Sequence, residues 1–124
     1  MRTIVAVGVA GALGALARYG VGGLILSRGG RSFPWETFVV NITGSFVLGF
    51  VFTVMTEQLT TAPWVRTAVT IGFVGAYTTF STLEFETYRL VEDGALALAF
   101  ANVLGSIVAG LVAVYVGIVV GRSL

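Results

Sequence analysis

The sequence predicts an all-α integral membrane protein of four transmembrane helices, and three observations carry that prediction. Hydrophobic residues make up 56% of the 124 residues and charged residues only 10%. The apolar residues gather into four stretches, each near the ~20 residues that a membrane-crossing helix needs. The breaks between stretches are marked by Pro, Gly or charge. A soluble chain of this length could not bury so much apolar surface. The same composition excludes several functions. There is no cysteine and no histidine, which removes thiolate and imidazole metal sites, thiol catalysis and the usual general base. The net charge of +1 rests on seven scattered arginines, too few and too dispersed for a nucleic-acid surface.

The first stretch runs from Thr3 to Leu26 and ends in the turn Ser27-Arg28-Gly29-Gly30-Arg31. Arg2 ahead of an apolar run is also how a secretory signal begins. This run is longer than a signal's hydrophobic region, contains Arg18 and lacks a clear small-residue cleavage site, so a retained helix is expected. The second stretch runs from Glu36 to Thr56, and Pro34-Trp35 suits an interfacial start. The third follows Ala62-Pro63-Trp64 and continues to Leu90; the fourth follows Glu92-Asp93-Gly94 and continues to Val120. A single four-helix transmembrane domain over residues 1–124 is therefore expected. Small residues let membrane helices approach closely. Gly8, Gly11 and Gly14 on the first helix, Gly44 and Gly49 on the second, and Gly117 with Gly121 on the fourth are read as packing surfaces.

If four helices alternate, Arg2, Arg66 and Arg122 fall on one side of the membrane and Arg28, Arg31 and Arg89 on the other. Orientation follows the Lys/Arg excess in short loops, and here there is none. The expectation is dual topology, with two oppositely inserted copies forming an antiparallel homodimer of closed two-fold symmetry. The alternative is a single orientation, tipped by the free amino terminus and the Glu92-Asp93 pair.

Polar side chains at membrane depth normally face protein or water. Arg18 either snorkels to the interface or neutralises the approach of an anion. Asn41, between Val40 and Ile42, either joins helices or offers its NH2 to an anion in a narrow aqueous path. The third helix carries the strongest signal, from Gly72 through Thr78-Thr79-Phe80-Ser81-Thr82-Leu83-Glu84-Phe85-Glu86. Hydroxyl side chains that bond back to the helix bend it, and a break is predicted between Gly75 and Thr79, mid-membrane. Irregular backbone at that depth is tolerated where it is buried or lines a cavity, and its freed carbonyls could hold a cation such as Na⁺. At helical spacing Thr79, Thr82 and Glu86 share a face, with Phe80 beside it. Asn102 and Ser106, one turn apart on the fourth helix, either extend this hydroxyl track or bond between helices. Glu84 and Glu86 lie near the span end, where a solvated carboxylate is ordinary.

At these residues the chain resembles the Fluc fluoride channels, also called CrcB proteins, over essentially its whole length. Gly11-Ala12-Leu13-Gly14-Ala15-Leu16-Ala17-Arg18-Tyr19 is similar to the family's glycine-rich stretch ending in Arg-aromatic, and Asn41 to Gly44 to its Asn-x-x-Gly motif. Gly75 to Thr82 is similar to its signature Gly-Gly-x-Thr-Thr-Phe-Ser-Thr-Phe. The resemblance implies a multi-pass protein of the cell membrane, an antiparallel homodimer with two pores that passively release cytoplasmic fluoride, and a central structural Na⁺. By position, the carbonyls of Gly75 and Thr78 would hold that ion, while Asn41, Phe80, Ser81 and Thr82 would line or support the fluoride path. The match is looser at Asn102 and Ser106. Two departures stand out. Ala76 replaces the second glycine, and Leu83 stands where the family usually has a second phenylalanine, whose positive ring edge leucine lacks. Phe85 or Tyr77 would have to compensate.

The competing readings are a proton-coupled small multidrug exporter and a noncatalytic assembly subunit. The exporter wants a carboxylate deep in the first helix, where this chain has Arg18. An enzyme is the least favoured reading, because its candidate pair, Glu84 with Glu86, lies beside no evident nucleophile.

Overall fold

A computed structural model describes residues 1–30 and 32–124; Arg31, one of the arginines in the charge count, lies outside the described residues. Helix α1, Arg2–Leu26, is unbroken, and with neither proline nor a cluster of hydroxyl residues nothing in it competes with the helical ladder. Pro34 precedes α2, Trp35–Thr53, which continues as a wider π-helical turn over Val54–Gln58. There the N–H of Leu59 donates to the Val54 carbonyl at 2.9 Å. Pro63 opens α3, Pro63–Thr67, at the position where a missing N–H costs nothing. A π-helical stretch, Ala68–Val74, and a last short turn, α4, Gly75–Tyr77, follow. Thr78 and Thr79 are extended, and the helix resumes as α5, Phe80–Glu92. Gly94, at φ 73°, makes the turn into α6, Leu96–Arg122.

Three helices among the described residues are long and apolar enough to cross a membrane: Arg2–Leu26, Trp35–Gln58 and Leu96–Arg122. The third hydrophobic segment is divided at Thr78 and Thr79. Gly75 itself is helical, at φ −62° and ψ −35°. The residues that leave helical geometry are the two threonines, each with a side-chain hydroxyl that supplies a local partner.

Helix α2 packs along α6, and α1 packs against the first half of the third segment, while α5 packs against α6. The two extended residues thus let the third segment change neighbours. Glycine permits the closest approaches. A Cβ on Gly49 would meet the Val114 carbonyl, one on Gly117 the Phe46 carbonyl and Phe50 nitrogen, and one on Gly14 the Phe73 carbonyl. Gly8 departs from the packing expectation: nothing lies within 4 Å of where its Cβ would be, and Gly11 makes only an ordinary contact with the Gly72 carbonyl at 3.7 Å.

The ends of the bundle follow from side-chain contacts. Arg2 lies over the Trp64 ring, 5.7 Å from its centroid, and Arg122 donates two hydrogen bonds of 3.0 Å to Glu57. The start of α1, the start of α3 and the end of α6 therefore share one end. Ile25, Trp35, Arg89 and Asp93 line a common cavity at the other. This arrangement puts Arg2 and Arg122 opposite Arg89, as alternating helices require.

Candidate functional site

The site is built around the interruption of the third segment. In a continuous helix the Thr79 N–H would donate to the Gly75 carbonyl four residues back. Here it donates instead to Asn41 Oδ1 at 2.8 Å, while Asn41 Nδ2 donates to the Thr79 carbonyl at 2.9 Å. The flat amide of Asn41 thus pairs with both backbone polar groups of Thr79, as a neighbouring strand would. One Nδ2 hydrogen remains uncommitted, because an amide carries two. Thr78 is anchored from the other side, its N–H and Oγ1 each 3.0 Å from the Val74 carbonyl.

Thr79 also starts the next helix. Its Oγ1 accepts from the Thr82 N–H at 3.3 Å, an N-cap, and donates to Thr82 Oγ1 at 2.9 Å. The Thr82 N–H that helical continuity would give to the Thr78 carbonyl is thereby diverted. The nearest donor to that carbonyl is Arg18 Nη1, at 3.5 Å, longer than an ordinary hydrogen bond. The four carbonyls from Gly75 to Thr78 have therefore lost their helical N–H partners, those of Gly75 and Thr78 among them.

Three cavities meet along this line. A cavity of about 530 Å³ opens among Phe33, Trp35, Glu36, Glu86, Arg89 and Asp93. A second, of about 300 Å³, is lined by Arg18, Tyr19, Glu36, Thr37, Thr79 and Thr82. A third, of about 240 Å³, is lined by Asn41, Ser45, Thr78, Thr79 and Phe80, with Gly44 in its wall. Glu36 is common to the first and second, and Thr79 to the second and third. The Asn41–Thr79 pairing separates the last two.

Glu86 sits one turn deeper than the outer cavity's rim. Thr37 Oγ1 donates to its Oε1 at 2.7 Å, and its Oε2 is buried with no partner among the described residues. Asn102 is fully buried; its Nδ2 donates to Thr87 Oγ1 at 3.0 Å and its Oδ1 is left without a partner, as is the Ser106 hydroxyl. Those three unsatisfied oxygens mark polar interior that asks for water or an ion.

Residues 5–118 match the protein family described as CrcB-like protein, Camphor Resistance (CrcB). The chain is 48% identical to a protein of Geobacter sp. (strain M21) over the full length of both. It is 45% identical to one of Citrifermentans bemidjiense, also over the full length of both. A protein of Solibacter usitatus is 45% identical over 94% of this chain and 95% of its own length. Each of the three is named a fluoride-specific ion channel FluC. The chain belongs to the CrcB family. Membership leaves the multidrug-exporter and assembly-subunit readings without support.

Of the residues singled out from sequence, the CrcB fold of this chain brings Arg18, Asn41, Thr79 and Thr82 together around the second and third cavities. Phe80 is 71% exposed and Ser81 is also exposed, both on the outer surface of the single chain. Gly75 is exposed nearby. Asn102, Ser106 and Leu83 are buried in helix packing and line none of these cavities; Glu84 is exposed and lines none either. Neither proposed stand-in for a second phenylalanine joins the cavities. Tyr77 is buried with its hydroxyl 2.8 Å from Thr43 Oγ1, and Phe85 is 65% exposed. Sequence reasoning missed Thr37, Glu36 and Thr87. Thr37 had a readable signal, since it lies one helical turn before Asn41 on the same face of α2. Glu36 had a weaker one, as a carboxylate just inside the start of an apolar span. Thr87 had none, because its partner Asn102 belongs to another helix.

Proposed function

We propose that this chain forms a fluoride-selective ion channel that passively releases cytoplasmic fluoride, working as an antiparallel, dual-topology homodimer with two pores in the cell membrane. The observation that carries the reading is full-length identity of 45–48% to relatives named fluoride-specific ion channels. The geometry supports it. A fluoride ion must exchange a tight hydration shell for donors that hold it weakly enough to let it leave. The uncommitted Asn41 N–H, the Thr82 hydroxyl, and the Phe80 ring edge and Ser81 hydroxyl presented at the chain surface supply such partial positive charge. In this reading the extended Thr78–Thr79 stretch lies at mid-membrane depth, where irregular backbone belongs only beside protein or water.

The carbonyls of Gly75 and Thr78 fit a sodium ion. Both have lost their helical N–H partners, and carbonyl oxygen is the ligand type that hard cations take. Gly75 is exposed at the surface where a second, antiparallel copy would bring the matching pair. Bound there, sodium would supply a fixed positive charge joining the two copies. The Asn41 clamp is what holds those carbonyls open.

The test is fluoride efflux from liposomes that contain only the purified chain, followed by a fluoride electrode, with chloride efflux and a pH gradient as controls. Fluoride release with negligible chloride release, and without need of the gradient, is the expected result. Folded, dimeric protein that releases no fluoride would overturn the proposal.

A further inference from the structure

Glu36 is the one charged side chain shared by the outer and second cavities. Its carboxylate lies flat against α1 at Gly22, where a Cβ would collide with its Oε1 and would lie 2.9 Å from its Cδ. A side chain at position 22 would displace the carboxylate from that groove. The residue is half-buried and makes no ion pair with any described residue. The charged and titratable groups facing it are Arg18 and Tyr19 from α1, across the second cavity, and Glu86 and Arg89 from α5 with Asp93 just past its end, across the outer one. Beyond it, towards Thr79, the lining turns from carboxylates to hydroxyls and one guanidinium.

We infer that Glu36 is a rate-setting charge barrier between the outer cavity and the inner, donor-lined cavity. This rests on the channel reading above. An anion moving from the outer cavity to Thr82 and Thr79 passes the Glu36 carboxylate where the two cavities share it. Charge of the same sign in a cleft lowers the local anion concentration. Thr82 and Arg18 attract fluoride, and Glu36 limits how fast they are filled.

A carboxylate in the first turn of a helix also has a structural use, because it complements the helix dipole. The two roles differ in their response to salt. The barrier acts across an open cavity and weakens as the Debye length falls from about 10 Å at 0.1 M to about 3 Å at 1 M salt, whereas packing against Gly22 does not.

The experiment compares native protein, E36Q and E36A with E84Q, whose parent carboxylate is exposed and lines none of the three cavities. Initial fluoride efflux from liposomes is measured at neutral pH in low and high concentrations of an impermeant salt. At low salt, E36Q and E36A are expected to run about three- to tenfold faster than native, as removal of one nearby like charge implies. High salt narrows that ratio towards one, and E84Q follows native throughout. E36A keeps the test decisive if E36Q fails to assemble. Native protein that conducts while neither folded variant is faster, or a ratio indifferent to salt, overturns the inference alone. Native protein that does not conduct overturns the channel reading with it.

Discussion

Replacing Asn41 with alanine removes both hydrogen bonds that hold Thr79 in its extended conformation, at 2.8 Å and 2.9 Å. Leaving a buried donor or acceptor without a partner costs about 1–3 kcal/mol for each group. The simple total for the Thr79 N–H and carbonyl is thus about 2–6 kcal/mol. Two facts lower it. The cavities of about 300 and 240 Å³ on either side of the clamp are roomy enough to admit water to the freed groups. Interhelical hydrogen bonds in membranes also average only about 0.6 kcal/mol by double-mutant cycles, because the membrane-unfolded chain finds other partners. A loss of about 2–3 kcal/mol is expected for N41A, at the lower end of the simple total. The assay is reversible unfolding in mixed detergent micelles, read by the fluorescence of Trp35 and Trp64 at fixed protein concentration. N41D separates stability from conduction. It keeps the acceptor for the Thr79 N–H, loses the donor to the Thr79 carbonyl, and sets a carboxylate in the anion's path. N41D should be destabilised less than N41A and yet lose most fluoride efflux. An N41A protein within about 0.5 kcal/mol of native, the range of an ordinary surface change, would refute the clamp.

G117L should be destabilised by at least about 1–3 kcal/mol, since its side chain would press on the α2 backbone at Phe46 and Phe50, which cannot turn aside; G8A, facing open space, should melt within a degree or two of native. T37V strips Glu86 Oε1 of its hydroxyl donor and leaves both carboxylate oxygens without a protein partner, a loss of about 1–3 kcal/mol in the same unfolding assay. Exchange of sodium for a bulky organic cation should lower the thermal midpoint of the native protein and slow fluoride efflux; a midpoint indifferent to sodium would remove Gly75 and Thr78 as its ligands.

The helices were legible because their cause is local. Long apolar stretches bounded by Pro34, Pro63 and Gly94 become helices whatever else surrounds them. The division of the third segment was partly legible for the same reason, since two adjacent threonines carry hydroxyls able to satisfy local backbone groups. Which residues would open was not. Glycine lowers the cost of irregular backbone, but a glycine opens only where another group takes its hydrogen bonds, and Asn41 pairs with Thr79 rather than with Gly75. Gly8 shows the same limit in packing: a small residue permits close approach, and only a neighbouring helix makes it happen. The partners of the polar side chains were the least readable. Thr37 with Glu86 and Thr87 with Asn102 join residues 49 and 15 positions apart, and such pairs depend on how helices rotate about their axes. That rotation is fixed by the whole bundle.

One side chain therefore has three consequences. By taking the Thr79 N–H, Asn41 frees the Gly75 carbonyl; by holding Thr79 extended, it lets the Thr79 hydroxyl cap α5 and divert the Thr82 N–H from Thr78. The same two extended residues redirect the third segment from α1, where its first half packs, to α6, where α5 packs. A straight helix would keep its carbonyls paired and would remain beside α1. In this chain the outer surface at the break carries Gly75, Phe80 and Ser81, with Phe80 71% exposed. In the proposed channel, this exposed aromatic ring and hydroxyl would form half of a site. The proposed second copy, inserted the other way, would complete it without further folding of either chain, and the even division of Arg2, Arg66 and Arg122 against Arg28, Arg31 and Arg89 expected from the sequence would leave no charge bias against making both orientations.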